Sequence, residues 1–416
     1  MIKFTKPHIP LYILNALAFA FYILMFFNLN LSVSNEIAFS STDAKTYNDV
    51  ANWLAHGIDS ESVSTRPILY PLILLISTKI GGAYGIWILQ IVFWFLAINF
   101  TFLGIKQITK SGVIAFLGAF IILSNLSLIA LTFHALTELT TVFLLSAMLF
   151  VFSKKIEQFR EISFFHTGVL FLVLLTIVKP VFSIPLFCVL LIAFPLFYLK
   201  KHWKRPKNFL KLFLILLPLL IQLTIIKTKY NQTKISLISE VTFSKYFVAQ
   251  GVEKIESISR DVSIVKAVGF SSEEQTDYLV QHASFYSDLF RSNIIDNVTG
   301  KATFLMFPAG YGNQRLAKFM KSYNIATLKI HYIFILLVLV LLLILLRKKN
   351  YSMFIFLLFM YGLGFYYIIV TGISFWQGDR LTLPSISIWA FIYPLTLFYY
   401  YKLLFPARFK LDRDAD

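Results

Sequence analysis

Stretches of about 20 apolar residues recur along the whole of this 416-residue chain. A run of that length is what a helix needs to cross roughly 30 Å of hydrocarbon. The runs fall near 9–31, 82–105, 112–130, 135–153, 163–178, 181–199, 208–226, 331–346, 351–372 and 384–404. A shorter apolar piece at 67–80 suits a helix dipping into the interface better than a full crossing. The chain is 58% hydrophobic and 14% charged, where soluble chains are about 45–50% apolar and about 25% charged. The ten-residue alternation of a membrane β-barrel is absent. The expected fold class is therefore an all-α polytopic membrane protein with about ten transmembrane helices. The first run follows Met-Ile-Lys-Phe-Thr-Lys-Pro and has no small-residue cleavage site after Leu31, so it reads as a first span and not a signal peptide.

The net charge of +17 is distributed as a membrane bundle would distribute it. Lys3 and Lys6, Lys106 and Lys110, Lys154, Lys155 and Arg160, and Lys200 to Lys207 lie in alternate short segments between runs. Arg347 to Lys349 and the tail from Lys402 to Arg413 continue the series. The intervening short loops keep few cations: Lys45 and Arg66, Lys179, and Arg380. The positive-inside rule then puts both termini in the cytoplasm and these sparse loops outside, as in a bacterial inner or plasma membrane. Nucleic acid would call for a continuous basic groove with stacking aromatics, which the sequence does not offer. The single cysteine, Cys188, lies in an apolar run and reads as a small core residue.

Two segments are longer than a simple turn. Residues 32–66 form a polar first outer loop, expected to hold interfacial helices. Residues 227–330 form an outer segment of roughly 100 residues before the last three spans. Its Tyr278–Arg291 stretch has roughly helical apolar spacing, and Phe304 to Met320 reads as a surface helix with Arg315, Lys318 and Lys321 toward headgroups. The expected organisation is a catalytic core over 1–226, an extracytoplasmic segment over 227–330 that covers the acceptor or donor site, and C-terminal spans with a cytoplasmic tail over 331–416. Asn231-Gln-Thr233 and Asn297-Val-Thr299 fit the glycosylation sequon, a triplet common by chance.

The charged residues of the outer loops are the candidates for chemistry. Asp43 stands near the start of a stretch in which Tyr47, Val50, Ala51 and Leu54 make an apolar face, so it can cap an interfacial helix or act as a general base. Glu138, in His134-Ala-Leu-Thr-Glu138-Leu-Thr-Thr141, ends a span on the same side, and an ionisable residue in a membrane helix is a functional candidate. Arg66, Lys179 and Arg380 are the cations of that face, suited either to lipid headgroups or to a bound phosphate. Two acids and three cations together are what a phosphodiester-linked donor requires. No histidine pair has metal-ligand spacing and no Gly-rich nucleotide loop is present, so no metal and no cofactor is expected.

Asp43-x-x-x-Tyr47-x-x-x-Ala51, then Gly57, then Arg66-Pro67-Ile-Leu-Tyr70-Pro71 resembles the first-loop pattern of GT-C glycosyltransferases, among them the mannosyl-, aminoarabinosyl- and Rgt-like transferases. The resemblance extends to Thr137-Glu138, to Thr176-Ile-Val-Lys179-Pro180 and to Arg380 with Pro384, and it covers residues 40–185 best. Ala44 stands where many relatives carry a second acid, and Leu381 where many carry an aromatic. The resemblance implies an inverting transfer of a sugar from a polyprenyl-phosphate donor to an acceptor hydroxyl or amine on a glycan, lipid or protein. It implies Asp43 as base, Glu138 as second acid or orienter, and Arg66, Lys179 and Arg380, with Tyr47 and Tyr70, at the donor phosphate. The alternatives are a polymerase or ligase of lipid-linked glycans, and a transporter or flippase of lipid-linked sugar. The second of these would place charges near the bilayer midplane and on both faces.

Overall fold

The computed structural model describes residues 9–29, 31–159, 161–195, 206–299, 314–374 and 378–405, and among these it is helical with no strand. Helix α1 (Ile9–Leu29) leads to a short α2 (Asn35–Ala38), α3 (Thr42–His56) and α4 (Ser62–Thr65). There follow α5 (Leu69–Thr109), α6 (Gly112–Leu123), α7 (Leu126–Leu131), α8 (Glu138–Lys154), α9 (Ile162–Val178), α10 (Ser183–Phe194) and α11 (Pro206–Tyr230). A cluster of shorter helices comes next: α12 (Ile238–Thr242), α13 (Ala249–Glu256), α14 (Arg260–Gly269), α15 (Ser272–Gln281) and α16 (Ala283–Thr299). The chain closes with α17 (Gln314–Arg347), α18 (Tyr351–Val370) and α19 (Ile386–Leu404). Six helices among the described residues are long and apolar enough to cross a membrane, with shorter apolar helices besides. The chain is an integral, multi-pass membrane protein.

Helix α8 forms the centre, buried on nearly every face against α5, α9 and α19. In lipid, apolar contact alone gives helices little reason to associate, so close packing and interhelical hydrogen bonds must do it. Both are present. Gly104 of α5, Gly118 of α6 and Gly364 of α18 all face α19, at Phe391, Ala390 and Trp389 respectively. Thr101 of α5 donates to Ser146 of α8 (3.4 Å), which donates to Ser387 of α19 (3.0 Å), which donates in turn to the Val142 carbonyl (3.0 Å). Asn15 of α1 and Asn99 of α5 exchange two amide hydrogen bonds of 3.0 and 2.8 Å.

A methyl group at Gly118 would lie 2.6 Å from the Ala390 carbonyl oxygen, a backbone atom that cannot turn aside. Gly118→Ala is therefore expected to force α6 and α19 apart and destabilise the fold by about 1–3 kcal/mol, the usual range for overpacking. Thermal unfolding in detergent measures it, and an unchanged midpoint would contradict this account of how α19 is seated.

The 67–80 piece and the following span are two helical arms of α5, divided at Gly81 and Gly82, whose φ/ψ of −157°/17° and 57°/−134° leave the helical region. The structure revises three expectations. The stretch 278–291 is not one helix, because His282 (φ −114°, ψ 29°) separates α15 from α16. The two pack on different partners: Tyr278 on Phe270, Tyr286 on Phe247. Residues 314–320 are not a separate surface helix but the first turns of α17, while 304–313 lie outside the described residues. Cys188 is exposed, not core, since α10 turns Phe182-side residues such as Leu186 inward and presents Ile184, Phe187 and Leu191 outward. An all-apolar run gives no hint of which face is which. Lys3, Lys6, Arg160, Lys200 to Arg205 and the tail beyond 405 lie outside the described residues.

Candidate functional site

Ser41 starts α3 by accepting a hydrogen bond from the Ala44 amide, and Gly57 ends it in the left-handed conformation (φ 68°). Between these caps, Tyr47, Val50 and Ala51 bury one face against α5, which leaves Asp43 on the first turn beside the bundle. Pro67 and Pro180 do parallel work. The residue before a proline is driven from the helical region, so Arg66 (φ −113°, ψ 111°) and Lys179 (φ −142°, ψ 105°) are extended where α4 and α9 stop. Each helix thus ends by presenting a cation.

Glu138 is the first residue of α8, where the helix dipole favours a negative charge. The preceding segment is pinned by Gln90 of α5, whose amide nitrogen donates to the His134 and Leu136 carbonyls (3.2 and 2.9 Å) and to the Tyr70 hydroxyl (3.1 Å). Arg380 stands in the short turn Gly378–Leu381, between α18 and α19, and is buried.

These five side chains meet in one alternating chain of ion pairs. Arg66 contacts Asp43 Oδ1 at 2.5 Å, and Arg380 contacts Asp43 Oδ2 at 2.6 Å. The Arg380 Nε donates to Glu138 Oε1 (3.0 Å), and Lys179 Nζ reaches the same oxygen at 3.3 Å. The order is Arg66, Asp43, Arg380, Glu138, Lys179, with three positive and two negative charges and a formal excess of +1. Charges this dry would be costly unless paired, and alternation pairs them all. Aromatics frame the ends: the Arg66 guanidinium lies 4.8 Å from the Tyr47 ring centre, and Lys179 lies 6.0 Å from that of Tyr367.

The two acids differ in access. The Asp43 side chain keeps 24% of its exposure and that of Glu138 only 2%. Burial pushes the Asp43 carboxyl up, but Arg380 and Arg66 outweigh it and hold the group well below the usual carboxylate range. Glu138 Oε2 is buried and makes no hydrogen bond among the described residues. Among the same residues no group of three or more His, Cys, Asp or Glu gathers as metal ligands would.

Tyr70 sits one layer back from the charges. Its ring packs edge-on under Tyr47 with centroids 4.9 Å apart, and its hydroxyl is taken by Gln90. Thr46, which accepts from Arg66 Nε at 2.9 Å, Gln90 and Tyr367 join the site without having been singled out in the sequence. Only Gln90 carried a signal there, as one of two amides, with Asn99, in an apolar run. Asn297, in the second sequon, is 2% exposed with its amide nitrogen bonded to two carbonyls, so it is not open to glycosylation in this fold.

No family model matches the chain, and no curated protein matches it. The chain is similar to the crystal structure of ArnT from Cupriavidus metallidurans bound to undecaprenyl phosphate, at 10% identity and a TM-score of 0.41. That likeness covers 91% of this chain and 77% of the other. At such values the functional weight falls on this chain's own residues.

Proposed function

We propose that this chain is a GT-C-type membrane glycosyltransferase that moves a sugar from a polyprenyl-phosphate donor to an acceptor hydroxyl or amine, with inversion. The observation that carries the reading is the five-membered ion-pair chain, in which three cations surround two acids of unequal exposure. The excess of one positive charge suits the single negative charge of a phosphodiester. It suits the departing phosphate better, because that group gains charge as the bond to the sugar breaks.

In the resting site both Asp43 oxygens are occupied by arginines, so Asp43 is a weak base. A donor phosphate that draws Arg66 and Arg380 toward itself frees a carboxylate oxygen and raises its basicity. The acceptor oxygen then attacks the anomeric carbon opposite the phosphate while its proton passes to Asp43. The carbon–oxygen bond to phosphate breaks, and its electron pair stays on the polyprenyl phosphate. Lys179 and Arg380 stabilise that product, while the buried, unpartnered Oε2 of Glu138 accepts a hydrogen bond from a substrate hydroxyl that enters the site. Tyr47 backs Arg66, and Tyr70 supports Tyr47 from below.

The reading includes about ten crossings: the six long helices plus α6 with α7, α8, α9 and α10. Both termini are then cytoplasmic and the site faces the extracytoplasmic side, in a bacterial inner or plasma membrane. Residues 1–226 form the core, 227–330 the extracytoplasmic segment, and 331–416 the closing spans and tail. The convergence of five loop or helix-end charges agrees with the parity that the charge bias requires.

The test is to incubate the purified full-length chain with a polyprenyl-phosphate-linked sugar and candidate acceptors. The expected result is free polyprenyl phosphate in step with glycosylated acceptor. Transfer from diphosphate-linked oligosaccharides alone would favour a polymerase or ligase. Movement of intact lipid-linked sugar across liposomes, with no new glycosidic bond, would make the chain a flippase.

A further inference from the structure

The three cations are carried by three separate loops, and residues 222–299 hydrogen-bond to the backbone beside Arg66 and ahead of Arg380 and pack on the turn after Lys179. Near Arg66, the Leu237 amide donates to the Ser64 carbonyl (2.8 Å) and the Ser236 hydroxyl to the Thr65 carbonyl (2.7 Å). Gln222 uses both ends of its amide there, accepting from the Ile68 amide (3.1 Å) and donating to the Ile235 carbonyl (2.9 Å). Beside Lys179, α12 packs on the turn Pro180–Phe182.

Ahead of Arg380 the joint is a cluster of buried amides. Asn297 donates to the Thr371 and Ser374 carbonyls (3.0 and 2.8 Å), and Asn293 donates to the Gly372 carbonyl (3.0 Å). Gln250 of α13 accepts from Asn293 (3.0 Å) and donates back to it (3.4 Å). Gly372 permits the approach, since a Cβ there would lie 2.6 Å from the Phe290 ring. Helix α16, which carries both asparagines, also packs along the turn that holds Arg380.

Buried amides are ordinary structural glue when they tie helix to helix. These tie one stretch of chain to the backbone at 64–68, around Arg66, and at 371–374, in the loop that leads to Arg380, where they fix loop position. We infer that residues 222–299 act as a brace that sets the spacing of Arg66, Lys179 and Arg380. In that brace Gln222, Asn293 and Asn297 are positioning residues for the anion-holding set. The inference rests on the proposed reading of those cations as phosphate contacts.

The test compares the full chain with Asn293→Ala/Asn297→Ala, each with and without Arg380→Ala, using undecaprenyl phosphate in detergent as the probe. The double variant is expected to bind it about tenfold more weakly, the order of one or two lost hydrogen bonds. In the Arg380→Ala background the same pair is expected to change affinity less than twofold, while lowering the thermal midpoint equally in both backgrounds. Such non-additivity marks action through Arg380, whereas a merely structural role gives additive losses and overturns the inference. Unchanged affinity in the double variant, with Arg380→Ala itself weakened, also overturns it but leaves the phosphate reading intact.

If the wild type does not bind the probe, or Arg380→Ala binds as well as wild type, the proposed function fails instead. Hydrogen exchange then decides the brace by itself. Faster exchange at 378–385 in the double variant supports it, and unchanged protection overturns it. Should the double variant not fold, Asn297→Ser retains a donor for one of the two carbonyls. It is expected to show an intermediate loss in affinity and in protection, and wild-type values in both overturn the brace.

Discussion

Replacing Asp43 with Asn is expected to lower the transfer rate by about 10²–10⁴-fold, the range for losing a positioned general base, while the donor binds as tightly or more tightly. The sign of the binding effect follows from the charge count. Removing one of two negative charges beside Arg66 and Arg380 raises the excess positive charge of the chain from +1 to +2, which favours an anionic donor. A purely structural Asp43 would lose both properties together. Full transfer activity in a folded Asp43→Asn protein would sink the assignment of Asp43 as base. The two measurements needed are the transfer rate at saturating donor and the donor Kd.

The same pairs give a pH signature. Because the folded carboxyl lies below its unfolded value of about 3.9, its contribution to stability is complete above that value and is lost as pH falls through the lower folded value. The gap in thermal midpoint between the wild type and Asp43→Asn is therefore expected to be constant from pH 8 to about pH 5 and to close only below about pH 4. A gap that closes near neutrality would mean that the arginines do not hold Asp43 as described.

Replacing Glu138 with Gln is expected to be the most destabilising single change at the site, by about 3–5 kcal/mol. Glu138 Oε1 is shared by Arg380 and Lys179, and the side chain is 2% exposed. Removing its charge leaves two cations in a dry place with one negative partner, Asp43, between three positive groups. The steric fit is unchanged, so any loss reflects charge. Thermal unfolding in detergent reads it, and Glu138→Gln combined with Lys179→Met is expected to recover part of the loss by removing one stranded charge. An unaltered midpoint in Glu138→Gln would show that water or lipid headgroups already satisfy Arg380 and Lys179.

Much of the site was readable because the relevant signals are local. Pro67 and Pro180 stop helices next to cations wherever they occur, and Ser41 and Gly57 bound α3 by hydrogen bonds within a few residues. The spacing of Tyr47, Val50 and Ala51 then decides which face of α3 is buried. Charge bias named Asp43, Glu138, Arg66, Lys179 and Arg380 as residues of one side, and all five meet. Other readings failed where the sequence is degenerate. Cys188 lies in a run that is apolar on every face, so its outward position had no local signature. The join of 314–320 to the following span was hidden because polar first turns look alike on a surface helix and on a long one.

By itself, then, the sequence determined the helical membrane class, the stops that expose Arg66 and Lys179, and the set of charges free to cooperate. The class and the charge set rest on patterns repeated along the chain, and each stop on the proline next to its cation. Only the tertiary structure decided that Arg380 stands between Asp43 and Glu138, contacts that span 337 and 242 positions of chain. That placement follows from how closely α19 approaches α5, α6 and α18 at three glycines, and from amides of residues 222–299 that close on the neighbouring loops. Helix crossings of this kind are set by shape and by a few buried hydrogen bonds, neither of which leaves a period in the sequence.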